Sequence, residues 1–228
     1  MPSRSKTWAT EILCHPLWLA ITDALLTSRT KSYTGDEIHE CISKPQISSS
    51  ALLCIGPGAK AQGLHRDGML HHDNHSKITA DEYPIGRDSS IAMFVASTRT
   101  TKENGATRFQ PGSHLQASLE PPVEADAVYA ELEPGDAFIM LASCYHGGSA
   151  NTTKDEERRV YSMHFTKGYL RQEENQYLAI SRERILELPE QAQKKLGYEM
   201  SAPFVGWVDL VDPLAFIKGE KVQAGDVF

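Results

Sequence analysis

His65 and Asp67 stand two residues apart in Gly63-Leu64-His65-Arg66-Asp67, and a third possible ligand, His146, precedes two glycines in Cys144-Tyr145-His146-Gly147-Gly148. Successive side chains of a β-strand alternate faces, so this spacing predicts that His65 and Asp67 point to the same side of a sheet. His146 follows the turn Pro134-Gly135-Asp136 and the apolar run Ala137 to Leu141, and would arrive from a distant strand pairing nearby; the glycines after it let backbone approach the centre. Two histidines and one carboxylate on one face of an iron leave the opposite positions open for a bidentate co-substrate and for O2. The same donor types serve zinc hydrolases, so the triad by itself does not select the metal. Arg158, twelve residues beyond His146 and opening the run Arg158 to Phe165, adds a direction. A guanidinium makes a two-pronged, charge-assisted contact with a carboxylate, which is what the far end of 2-oxoglutarate requires. Arg159 would face the opposite way on a strand, and the bland alternative for Arg158 is a surface ion pair with Asp155 or Glu156.

The elements that must position these residues are short. Apolar residues at Ile12, Leu13, Leu17, Leu19, Ile21, Leu25 and Leu26 fit a helix over roughly Thr7 to Leu26, broken or started near Pro16. From Ser50 the texture changes to β-type runs: Ala51 to Ile55, Ser89 to Ser97, Ala127 to Leu132, Ala137 to Leu141 and Arg159 to Phe165. Gly56-Pro57-Gly58, Pro111-Gly112-Ser113 and Pro134-Gly135-Asp136 punctuate them. Strands between helical ends point to an antiparallel sandwich or barrel covered by helices, and a jelly roll fits best. Arg182 to Leu196 reads as a charged amphipathic helix shortened or kinked at Pro189, and the tail from Gly197 to Phe228 as loops.

Composition narrows the class. A chain of 228 residues with 40% hydrophobic residues can bury its own core, and one catalytic domain over 1–228 is the default. The net charge of -7 is spread along the chain, and no Lys/Arg run is long enough to track a phosphate backbone, so nucleic acid is not expected as a partner. Leu17 to Leu26 is short and interrupted by Thr22 and Asp23, which suits neither a bilayer span nor a secretory signal, and the expectation is a soluble cytoplasmic protein. Cys14, Cys41, Cys54 and Cys144 are widely separated and form no CxxC pair, so they are read as reduced and structural. Of nine histidines, His65, His71, His72 and His75 crowd beside Asp67 and Asp73. His71 and His72 are read as an exposed polar loop, His114 as structural, and His164, at even spacing from Arg158, as facing inward without binding metal. Met93, Phe94 and Val95 are read as core.

Gln62 to Asp67 (QGLHRD), Glu103 to His114 (ENGATRFQPGSH), Glu133 to Asp136 (EPGD), His146 to Gly148 (HGG) and Arg158 to Phe165 (RRVYSMHF) give the chain a specific likeness. It resembles the phytanoyl-CoA dioxygenase family, and within it the fungal branch that tailors meroterpenoids and alkaloids. The resemblance runs from about Ala51 to Phe165, and the stretch Asn175 to Ile217 shares it less diagnostically. It implies a double-stranded β-helix (a cupin-like jelly roll), Fe(II) held by His65, Asp67 and His146, and Arg158 on the distal carboxylate of 2-oxoglutarate. Gln62 and Thr107 match positions that touch the co-substrate. Related halogenases carry a small residue in place of the carboxylate ligand; Asp67 is retained here, which favours hydroxylation, desaturation or oxidative rearrangement. The acidic balance suits a neutral polycyclic natural product better than a CoA ester. Members of that branch carry a sizeable segment ahead of the region where this chain begins. The resemblance therefore implies a domain shortened at its N-terminus, whose uncovered apolar sheet would associate as a homodimer or with a related oxygenase. Two rival readings stand beside this one. A cupin-type metal isomerase or hydrolase would have no use for Arg158 as a carboxylate anchor, and a non-catalytic subunit stabilising a sister oxygenase would have no use for a complete triad.

Overall fold

Proline and glycine set many of the element boundaries in the computed structural model, which describes residues 1–220. Pro16 sits in the first turn of helix α1 (Pro16–Leu26), where a missing N–H costs no hydrogen bond, and a π-helical turn, Trp8–Ile12, precedes it. The expected first helix is thus two pieces. Strands β1 (Ser28–Thr34) and β2 (Glu37–Ser43) form an antiparallel hairpin around Gly35, whose positive φ suits a tight turn. The sequence reading has no strand here, because most of these side chains are polar and exposed and no alternating burial marks them; the backbone ladder alone defines the hairpin.

Seven further strands follow: β3 (Gln46–Ile55), β4 (Ser90–Ala96), β5 (Thr107–Phe109), β6 (Val128–Tyr129), β7 (Ala137–Leu141), β8 (His146–Gly148) and β9 (Arg158–Thr166). They make a four-stranded sheet in the order β3-β9-β4-β7 and a three-stranded sheet in the order β6-β5-β8. β4 pairs antiparallel with β7, and β5 pairs antiparallel with both β6 and β8. The architecture is mainly β with flanking helices, the double-stranded β-helix or cupin-like jelly roll. Of the run expected over Ala127 to Leu132, only Val128 and Tyr129 enter a strand, with Leu132 making a single bridge to Thr100.

Contacts gather the chain into two compact units, Ser50–His164 and Met1–Ser49 together with the chain from Phe165. Within the first, Ala92, Phe94, Met140 and Val160 form a buried apolar cluster packed by Leu53 and Phe138, and Phe109 of the three-stranded sheet meets Phe138 of the four-stranded sheet with ring centroids 4.7 Å apart. This is the filling of the jelly roll. Within the second unit, Trp18 meets Phe165 edge-on at 5.5 Å, and Leu13, Leu26, Ile47, Ile185 and Leu196 are fully buried.

Helices α2 (Gln176–Ala179), α3 (Arg182–Leu186) and α4 (Glu190–Lys195) follow the strands. The amphipathic helix expected over Arg182 to Leu196 is divided because Pro189 cannot continue it and instead caps α4. The tail expected as loops contains helix α5 (Pro213–Lys218), started by the Asp212 side chain accepting from Leu214 N–H and ended by Gly219 in the left-handed region. Residues 221–228 of that expected loop lie outside the described residues. Among the described residues, no helix is long and apolar enough to cross a membrane.

Candidate metal centre

The backbone at the centre is one antiparallel bridge. His65 N–H donates to His146 C=O and His146 N–H to His65 C=O, both at 2.9 Å, so the two rings start from paired positions and their centroids lie 4.5 Å apart. Asp67 is not on a strand with His65, contrary to the alternation argument: it opens a 3-10 helix, Asp67–His71. Convergence therefore comes from the bridge and the helical turn rather than from the two-residue period. A Cβ on Gly147 would lie 3.0 Å from Gly63 C=O, which shows why small residues follow His146.

Ligand atoms of His65, Asp67 and His146 lie within 4.8 Å of one another. Nε2 of His65 is 3.6 Å from Asp67 Oδ1, and Nε2 of His146 is 3.6 Å from Asp67 Oδ2. Nδ1 of His65 faces Gly63 C=O at 2.9 Å, and Nδ1 of His146 faces Cys144 C=O at 3.3 Å. Carbonyl oxygens only accept, so each Nδ1 carries a proton, and in the neutral tautomer each ring turns a bare Nε2 toward the carboxylate. Two lone pairs and an anion cannot satisfy one another. A cation among them can, and a carbonyl that holds the far ring nitrogen in this way is the usual device for orienting a metal-binding imidazole.

The charges agree. Burial pushes the Asp67 carboxyl up, but the facing imidazoles of His164, His146 and His65 outweigh this and hold it below the ordinary carboxylate range. Burial pulls His146 below its ordinary value, with Asp67 opposing, so the imidazole stays neutral and able to bind metal.

Arg158 and Arg159 face opposite ways on β9. Arg159 is exposed and pairs with Glu157, whereas Arg158 is 2% exposed, and burial lowers its pKa. Nη2 of Arg158 donates to Gly105 C=O at 2.8 Å, while its buried Nε and Nη1 have no hydrogen-bond partner among the described residues. A guanidinium remains charged in such a place, and donors left unpaired there fit a carboxylate. Gly105 must be glycine: its φ is +100°, and a Cβ would lie 3.1 Å from Ser149 C=O.

Gln62 and Thr107 flank Gly148. The Gln62 Oε1 accepts from Gly148 N–H at 2.8 Å, and buried Thr107 pairs with Gly148 across β5 and β8. His72 is exposed in the left-handed region, and His114 lies edge-on to Tyr83. His164 faces the centre, its Nε2 3.5 Å from Asp67 Oδ2.

Sequence reasoning misses two arginines. Arg108, buried on β5, donates through Nη2 to Gln62 C=O at 2.6 Å and through Nη1 to Gly148 C=O at 2.8 Å, tying the two ligand-bearing segments together. Arg66, between His65 and Asp67, lies 3.9 Å over the Tyr145 ring and donates to the carbonyls of Ser113, Ala117 and Ser118. The signal available for both is position alone, inside the ENGATRFQPGSH and QGLHRD blocks. A cavity of about 210 Å³ adjoins His65, lined among others by Met69, Asp73, His75 and Tyr145.

Comparisons with known proteins bear on the family and the fold. The family model described as Phytanoyl-CoA dioxygenase (PhyH) matches residues 3–160, a span that includes Gln62, His65, Asp67, Thr107, His146 and Arg158. Dioxygenase peniF of Penicillium patulum is 45% identical over 93% of this chain and 69% of its own length. Dioxygenase himG of Aspergillus japonicus is 42% identical over 93% of this chain and, again, 69% of its own length. Among solved structures, the apo non-heme monooxygenase ThoJ superposes with a TM-score of 0.50 at 20% identity, over 74% of this chain and 58% of that one, a likeness of fold.

Proposed function

The chain belongs to the phytanoyl-CoA dioxygenase (PhyH) family and is a dioxygenase, and from that premise we propose that it is an Fe(II)- and 2-oxoglutarate-dependent oxygenase of a small natural product. In this reading His65, Asp67 and His146 hold the iron, Arg158 takes the distal carboxylate of 2-oxoglutarate, and Gln62 and Thr107 line the co-substrate position beside Gly148. The observation that carries it is the pair of buried nitrogens on Arg158 without a partner among the described residues, in the same compact unit as two histidines that rest Nδ1 on carbonyls and aim Nε2 at a carboxylate. A metal isomerase or hydrolase needs the second feature and has no use for the first. With iron bound, the centre would supply the oxidation, converting 2-oxoglutarate and O2 to succinate and CO2 as a substrate C–H bond is oxidised.

The protein's own part is positional. Gly63 and Cys144 carbonyls fix the ligand tautomers, Arg108 locks Gln62 to Gly148, and Arg158 orients the co-substrate by a charged contact in a dry place. The net charge of -7 and the Met69 and Tyr145 lining beside His65 favour a neutral, largely apolar substrate over a polyanionic CoA ester. A fungal secondary metabolite such as a meroterpenoid fits this lining, and the dioxygenase relatives come from fungi. Anaerobic incubation with Fe(II), 2-oxoglutarate and candidate compounds, followed by O2 and mass analysis, tests the reading. Succinate formation that needs both iron and 2-oxoglutarate is expected; iron-loaded protein that leaves 2-oxoglutarate untouched with every candidate overturns it. The proposal extends to association, as a homodimer or with a related oxygenase. Support comes from the run Phe204, Val205, Trp207 and Val208, whose large apolar side chains are all exposed. Sedimentation decides it: an active monomer at micromolar concentration removes the partner.

A further inference from the structure

Asp67 has two carboxylate oxygens, and a metal could take both. A bidentate carboxylate would occupy one of the positions that a chelating co-substrate and O2 need. The surroundings of Asp67 address this. Its Oδ2 is buried and makes no hydrogen bond among the described residues, and the side-chain nitrogens facing it include Nε2 of His146 at 3.6 Å and Nε2 of His164 at 3.5 Å. A metal held by Nε2 of His146 leaves that atom nothing to donate, and its Nδ1 is turned to Cys144 C=O. His164 is the side chain left to supply a donor.

Two further observations place that donor by construction. Arg158 and His164 are six residues apart on β9, three full two-residue repeats, so the face that carries the guanidinium also carries the imidazole. The ring of His164 stands edge-on to Phe94, centroids 5.8 Å apart and planes at 89°, and Phe94 belongs to the buried apolar cluster. A ring packed in this way has little freedom to swing away.

We propose that His164 is a positioning residue that donates Nε2–H to Oδ2 of Asp67 and thereby holds the carboxylate as a one-oxygen metal ligand. The proposal rests on the reading of His65, Asp67 and His146 as the iron ligands. It assigns His164 no contact with the metal.

The test is anaerobic Fe(II) titration of the full chain, with the metal-to-2-oxoglutarate charge-transfer absorption as a second readout. The proteins compared are wild type, His164→Leu, His164→Gln and His65→Ala, and thermal unfolding confirms that each is folded. His164→Leu is expected to bind Fe(II) about 10- to 100-fold more weakly and to shift the absorption, as loss of a hydrogen bond to a metal ligand does. His164→Gln, which keeps an N–H donor, is expected to restore most of both. If His164→Leu does not fold, His164→Met, which also lacks a donor, replaces it. Wild-type affinity and an unchanged band in His164→Leu, with binding lost in His65→Ala, overturn the positioning role and leave the iron reading standing. Complete loss in both His164→Leu and His164→Gln overturns it in favour of direct ligation. Unchanged Fe(II) binding in His65→Ala overturns the ligand reading and this proposal together.

Discussion

Two segments of the same compact unit supply the candidate site, and they are built differently. Strand β9 lies within a four-stranded sheet, so the two-residue alternation of a strand decides which side chains face in: Arg158, Val160, Ser162 and His164 share one face, and exposed Arg159 belongs to the other. Residues 62–68 have no such ladder. A single bridge at His65, a 3-10 turn from Asp67, and the donors of Arg108 and Arg66 hold them. In the proposed reading, periodicity positions the co-substrate side and individual hydrogen bonds position the metal side. Substitutions that leave a strand's hydrogen bonds intact should therefore be local in effect on β9, whereas losing one donor near residues 62–68 should loosen several groups at once.

The largest effect is expected where the bridge carries ligands. His65→Ala or His146→Ala should reduce iron-dependent succinate formation to the iron-free background while circular dichroism stays native, because each removes one of three protein ligands. Full turnover in either variant would sink the triad. Next comes Arg158→Met, which should raise the 2-oxoglutarate concentration needed for half-maximal turnover about 10- to 100-fold, the equivalent of about 1.5–3 kcal/mol for a charged hydrogen bond. The same variant should unfold at the same or a higher temperature than wild type without co-substrate, since it removes a buried charge with two unpaired nitrogens. It should also lose the thermal stabilisation that 2-oxoglutarate gives the wild type. A lower unfolding temperature would mean that Arg158 serves the fold.

Arg108→Leu probes the other segment. It leaves Gln62 C=O without its charged donor, at a cost of about 1–3 kcal/mol if that oxygen stays buried and unsatisfied, whereas Gly148 C=O keeps the Gln62 N–H. Thermal unfolding should shift down and Fe(II) affinity should fall, since both histidine-bearing segments loosen; an unfolding shift with unaltered Fe(II) affinity would separate stability from site geometry. The smallest effect is expected from Arg159→Ala, whose exposed side chain pairs with Glu157. Its 2-oxoglutarate requirement should match wild type, and if it rises while that of Arg158→Ala does not, the facing of β9 is reversed.

Much of the jelly roll was legible as apolar runs. Ala137 to Leu141 is a strand at those bounds, and the runs beginning at Ser89 and Arg159 match β4 and β9 to within a residue or so at each end. Burial writes these strands into the sequence, because a buried face demands apolar side chains. The β1–β2 hairpin was not legible, since exposed strands make no such demand, and α5 was hidden in a tail whose prolines and glycines read as loop although Pro213 and Gly219 bound a helix.

For the candidate site, residue types and spacing were enough to single out His65, Asp67, His146 and Arg158, because metal binding and carboxylate binding each require donors that few side chains offer. Strand alternation likewise separated Arg158 from Arg159. What only the tertiary structure decided is how the donors meet. The HxD pair converges through a bridge and a helical turn, the histidine tautomers follow from the carbonyls of Gly63 and Cys144, and Arg108, Arg66 and His164 acquire their partners from segments far away in the chain. A hydrogen bond depends on where its partner lies to within a few tenths of an ångström, and across forty or more residues of intervening chain no local pattern records that distance.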